Sequence, residues 1–141
     1  MQVLRFRGSD SENLKAAINI RIEVFMNEQS VSFFDEFDDK DKSSDYVLVM
    51  NETEALGCGR VYFENNTAHL GRIAVVKKAR KNGIGRIIIE ELISISKEHG
   101  ADEIVLGAQV QAVGFYEKLG YKPYGDIYSD ANIEHINMKL K

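Results

Sequence analysis

The 141-residue chain has the length of one domain, and its 44% apolar and 28% charged composition, with one proline and eleven glycines, excludes collagen-like, proline-rich and disordered classes. A formal charge of −4 and a pI near 5.4 argue against a nucleic-acid partner, because phosphate neutralisation needs a net basic face. Cys58 stands alone, and no stretch approaches the roughly 18 apolar residues of a membrane span, so the expectation is a single cytoplasmic domain over residues 1–141 with no membrane partner.

Apolar and basic residues alternate over 3–7, which predicts a short half-buried strand. Ser9, Asp10, Ser11 and Glu12 then supply caps and an early acid. Leu14, Ile18, Ile22 and Phe25 follow at helical spacing, so a helix is expected to about Glu28. Between Asp35 and Asp45 lie six acids (Asp35, Glu36, Asp38, Asp39, Asp41, Asp45) against Lys40 and Lys42. This run reads either as a solvated loop or as a patch that draws in a cationic amine.

Residues 46–50 are all apolar, a strand too short to be a helix, and polar turns lead to strands over 56–63 and 68–76. Ile84, Ile88, Leu92 and Ile95 mark a second helix ended by His99 and Gly100. A strand over 103–108 precedes a third helix over 110–119, with Ala112, Phe115, Tyr116 and Leu119 on one face and Gly120 as its stop. Strands over 121–124 and 133–141 close the chain. The fold class is α+β: a mixed central sheet of about seven strands flanked by three to four helices.

Chemistry concentrates between residues 77 and 86, where Lys77, Lys78, Arg80, Lys81 and Arg86 face no acid. Gly83 and Gly85 sit where this loop becomes a helix, so backbone N–H groups and the positive helix end can meet a pyrophosphate. Lacking the spacing of the common nucleotide-binding loops, the segment also reads as a solvated basic loop turned by glycines.

Taken with its surroundings, the segment resembles the GNAT superfamily of acetyl-coenzyme A-dependent N-acetyltransferases. Arg80-Lys81-Asn82-Gly83-Ile84-Gly85 matches the superfamily's Arg/Gln-x-x-Gly-x-Gly/Ala signature. Ile73, Ala74 and Val75 match the strand whose backbone pairs with the pantetheine arm, and residues 115–121 match a late helix carrying a tyrosine near the thiol. Residues 21–29, the aspartate-rich loop and residues 133–138 look like the small YjcF/ElaA-like branch.

The resemblance implies direct transfer of an acetyl group from acetyl-CoA to the primary amine of a small molecule or peptide. It implies that Arg80, Lys81, Asn82, Gly83, Ile84, Gly85 and Arg86 hold the pyrophosphate, with Ile73, Ala74, Val75, Gln109, Phe115 and Tyr116 along the pantetheine. A backbone N–H of Ala74 or Val75 would stabilise the oxyanion and Tyr116 the leaving thiolate. Glu28 and His135 are the candidate bases. Superfamily analogy allows a homodimer. Where relatives often carry asparagine, this chain has Gly107. His69 and His99 have no partner at ligand spacing, so no metal is expected. The rivals are a non-catalytic coenzyme-binding module of the same fold and an anion-binding interaction domain.

Overall fold

The computed structural model describes residues 1–140, with every side chain among them except those of Ser11 and Phe34. In chain order the elements are β1 (Gln2–Arg7), α1 (Ser11–Arg21), α2 (Phe33–Glu36), β2 (Asp45–Met50), β3 (Ala55–Glu64), β4 (Thr67–Val75), α3 (Ile84–Glu98), β5 (Glu103–Gln109), α4 (Val113–Glu117), β6 (Tyr121–Asp130) and β7 (Ile133–Leu140). One seven-stranded sheet runs β1-β2-β3-β4-β5-β7-β6, antiparallel throughout except for the parallel pair β4–β5. Among the described residues no helix is long and apolar enough to cross a membrane.

The hydrophobic pattern explains the layers. On β3 the Cys58 thiol reaches the Ala17 carbonyl of α1, whereas its neighbours Gly57 and Gly59 meet Ile88 of α3, so the two helices cover opposite faces. That double cover is why β2 reads as a pure apolar run, with Tyr46, Val47, Leu48 and Val49 fully buried. α3 buries Ile84, Ile88, Ile89, Leu92 and Ile95, each contributing about 1.5–3 kcal/mol, which outweighs the modest helix propensity of isoleucine.

Several elements depart from expectation. The first helix does reach Glu28, but from Ile22 onward it winds as a π-helix, seven residues long. Asp10 caps α1 by accepting from the Asn13 N–H; the cap reading of Ser11 rests on a side chain outside the description. α2 had no periodicity to announce it, being one turn capped by Ser32. The third helix is shorter than expected, a 3₁₀ turn followed by five α residues, and Phe115 leaves its buried face at 40% exposure. β6 runs past residues 121–124 to Asp130, paired there with β7; beyond Tyr124 it is exposed and so leaves no apolar alternation in the sequence. The last strand's predicted end, Lys141, lies outside the described residues.

Candidate functional site

β4 and β5 are hydrogen-bonded neighbours only from Thr67 to Leu70 and from Glu103 to Leu106. Beyond these residues β4 stays paired with β3 and β5 with β7, so the two strands part and open the sheet. Val76 donates to the Leu56 carbonyl of β3, while the Val75 carbonyl accepts from Arg80 Nε at 3.0 Å. Successive strand residues point oppositely, so the N–H of Ala74 turns toward β3 and that of Val75 toward the opening.

Past β4, a 3₁₀ turn at Lys77–Ala79 leads into the glycine segment, where Lys81 has φ +68° and Gly83 φ +78°. These left-handed residues reverse the chain so that α3 starts at Ile84, and the N–H groups of its first turn have no intrahelical acceptor. A methyl on Gly85 would lie 3.4 Å from Phe115 and 4.0 Å from Val75. Glycine or alanine therefore both fit at 85, whereas Gly83 holds a backbone that only glycine adopts freely. Val75, Gly85 and Phe115 thus meet at one end of the opening.

The other end widens into a cleft of about 490 Å³ whose walls include Ile73, Gln109, Tyr116 and His135. The sequence pointed to all four of these. Tyr116 is buried, packed edge-on against Phe115 and Tyr121, and burial pushes its hydroxyl up to about 12. His135 Nδ1 lies 2.7 Å from the Ile133 carbonyl, an acceptor only, so that nitrogen carries the proton and Nε2 of the neutral ring keeps its lone pair. A side chain at 107 would collide with the Tyr128 hydroxyl, which donates to Asn137 Oδ1 at 2.9 Å; this pair occupies the space that Gly107 leaves.

Glu28 stands apart from the cleft walls. Both its oxygens accept from Arg80, at 2.6 and 2.7 Å, and this pairing lowers its carboxyl below the ordinary range. A carboxylate so engaged takes up a proton less readily than a free one, which weighs against Glu28 as the base. It also leaves the Arg80 guanidinium with its charge already matched.

The acidic run is divided: Asp35 and Asp39 are exposed, whereas Glu36, Asp38 and Asp41 are held by arginines. Arg21, fully buried, donates from Nε to Glu36 Oε2 at 2.6 Å, from Nη1 to Asp41 Oδ1 at 2.6 Å, and from Nη2 to the Glu36 carbonyl at 2.7 Å. Arg60 grips Asp38 with two bonds of 2.7 Å and Asp41 with one of 2.6 Å. Arg72 donates to the Glu36 carbonyl at 3.0 Å. Glu36 and Asp35 reach the cleft wall; the sequence named Glu36 only as one acid of the run, not as a buried partner of arginine. Its signal was the three arginines standing inside otherwise apolar segments, each requiring an acid.

This cluster sets an acid limit. Arg60 holds the Asp38 carboxyl at about 2, below its unfolded value near 3.8, so its contribution is complete above pH 4 and fades as pH falls toward 2. Burial raises the Glu36 carboxyl, which has the opposite sign and favours the folded state as pH falls. Asp38 is exposed enough for screening to reduce its share to about 1 kcal/mol. Other paired carboxylates, Asp41 and Glu28 among them, add losses of the same sign, so on thermal unfolding between pH 5 and 2 Asp38→Asn should lose less stability than the parent by about that amount; an identical profile in the variant would overturn the assignment.

A family model described as "Acetyltransferase (GNAT) domain" matches residues 10–141. The uncharacterized N-acetyltransferase YjcF of Bacillus subtilis (strain 168) is 36% identical over 132 residues, 93% of this chain and 94% of that one. The crystal structure of Escherichia coli ElaA superposes with a TM-score of 0.90 at 23% identity, over 100% of both chains. An aminoglycoside 6′-N-acetyltransferase complexed with coenzyme A superposes with a TM-score of 0.74 at 19% identity, covering 99% of this chain and 96% of that one, a likeness of fold.

Proposed function

Because this chain belongs to the GNAT acetyltransferase family, in its YjcF/ElaA-like branch, we propose that it moves an acetyl group from acetyl-CoA directly to a primary amine. The observation that carries this reading is the parting of β4 from β5 beside the glycine loop at the start of α3. A pyrophosphate fits the N–H groups of residues 82–86 with Lys81 and Arg86 beside them, and the pantetheine arm fits the edge of Ile73–Val75 that β5 leaves open, between Gln109 and Phe115.

The thioester oxygen gains charge as the amine attacks, and the Val75 N–H is the donor for it. Of the two N–H groups offered by the sequence, that of Ala74 turns toward β3. Tyr116 faces the departing thiolate. With its hydroxyl near 12 and a thiol near 8.5, proton transfer would run about 5 kcal/mol uphill, so Tyr116 stabilises the thiolate as a hydrogen-bond donor and keeps its proton. His135, with Nε2 free, takes the proton of the amine.

Calorimetric titration with acetyl-CoA beside ATP, followed by thiol release on an amine panel, tests the reading. Micromolar binding of acetyl-CoA alone, with thiol release, supports it; binding without turnover would favour the non-catalytic module, and no binding would overturn both. Tyr116→Phe should lower turnover about 10- to 100-fold, the worth of one charge-assisted hydrogen bond, with acetyl-CoA affinity and the shape of the pH profile unchanged. Full turnover in the variant would remove Tyr116 from the mechanism.

A further inference from the structure

The π-helix ends in two consecutive side chains that hold opposite lips of the opened sheet. Glu28 takes the β4 lip: its two oxygens accept from Arg80 Nη1 and Nη2, and Arg80 Nε donates in turn to the Val75 carbonyl. Gln29 takes the β5 lip: its Oε1 accepts from Gln109 Nε2 at 2.9 Å, and Gln109 is braced further by Gln111 at 2.6 Å. A π turn is rare and often marks a functional site, and this one runs for seven residues. Here it places two adjacent side chains so that they diverge toward separate strands.

From this juxtaposition we propose that Glu28 and Gln29 form a bracket across the mouth of the β4–β5 opening. In it Arg80 is a positioning residue that fixes the glycine loop through Glu28, not a ligand of the coenzyme's phosphates. Three of the five N–H groups of Arg80 are spent on Glu28 and Val75, and its charge is matched at bidentate distance. The residue immediately after it, Lys81, begins the left-handed reversal that ends at Gly83. Fixing Arg80 therefore fixes the entry angle of the loop. The coenzyme part of this inference rests on the function proposed above; the bracket itself does not.

Two effects of opposite sign separate a positioning role from an electrostatic one. Removing the Glu28 charge beside an anion site strengthens anion binding if Arg80 is a phosphate ligand, because its guanidinium is freed. The same change weakens binding if Arg80 acts by holding the loop. Glu28→Gln, Arg80→Lys and the double variant are titrated with acetyl-CoA at low and moderate salt, and amide hydrogen exchange of residues 80–86 is followed without ligand.

Glu28→Gln should weaken acetyl-CoA binding about tenfold, little altered by salt, with the double variant no weaker than the worse single one. Exchange at residues 80–86 should quicken by a similar factor in each variant, with no matching change over β2. Unchanged exchange overturns the bracket whatever the coenzyme does. Tighter binding by Glu28→Gln overturns the positioning role of Arg80. Faster exchange in a protein that never binds acetyl-CoA upholds the bracket and overturns the proposed function instead.

Discussion

Arg21→Met should lower stability by about 3–5 kcal/mol, the cost of leaving buried carboxylates without their cation. Glu36 is 3% exposed and Asp41 half-buried, and both would keep charges that neither water nor Arg60 alone can satisfy. In a chain whose total stability is about 5–15 kcal/mol, that loss corresponds to a fall in melting temperature of about 10–15 °C. Glu36→Gln combined with Arg21→Met should recover part of it, because removing both charges replaces an unpaired ion by a neutral amide. The Arg7–Asp45 pair is the control: Arg7 is 57% exposed, and Arg7→Met should cost under about 1 kcal/mol. The loss should also be felt at the cleft, because Arg21 holds the Glu36 carbonyl at the end of α2, whose Asp35 and Glu36 line the cleft wall. A melting temperature for Arg21→Met within about 2 °C of the parent would show that this network stabilises nothing.

The two halves of the molecule differed in how far they could be read beforehand. Strands β2 to β5 and helix α3 were legible because burial on both sheet faces, or on one helical stripe, writes itself as a pattern over neighbouring residues. The glycine loop was legible for a different reason: Gly83 satisfies a backbone requirement that few residues share. Glu36, Asp38 and Asp41 were visible as acids, yet their role was hidden, because their partners Arg21, Arg60 and Arg72 lie 15 to 36 positions away. The pairing of Glu28, named as a candidate base, was hidden on the same ground, its partner being 52 residues distant. Long-range pairing of polar groups leaves no local periodicity. The part of β6 beyond Tyr124 evaded reading because an exposed edge strand places no demand on its side chains.

Gly83→Asp should weaken acetyl-CoA binding by at least about thirtyfold while leaving a folded protein, and it is the substitution that tests the coenzyme site most directly. The site offers open space for a Cβ at Gly83, so no collision threatens the fold. The left-handed φ of +78° costs an L-residue about 1–2 kcal/mol, least for aspartate and asparagine, so the melting temperature should drop by only a few degrees. Binding suffers more. A carboxylate at the loop's turning point faces the proposed pyrophosphate at a few ångströms, where even screened repulsion reaches about 2 kcal/mol. Gly83→Asn has the same shape and backbone strain without the charge, and should lose only a few-fold. Gly85→Ala, whose methyl would just touch Phe115, should bind almost as the parent does. Equal losses for aspartate and asparagine would mean that shape, not anion recognition, is read at Gly83. Unaltered affinity in both would show that no coenzyme phosphate lies at the start of α3, and the assignment of the loop would have to be abandoned.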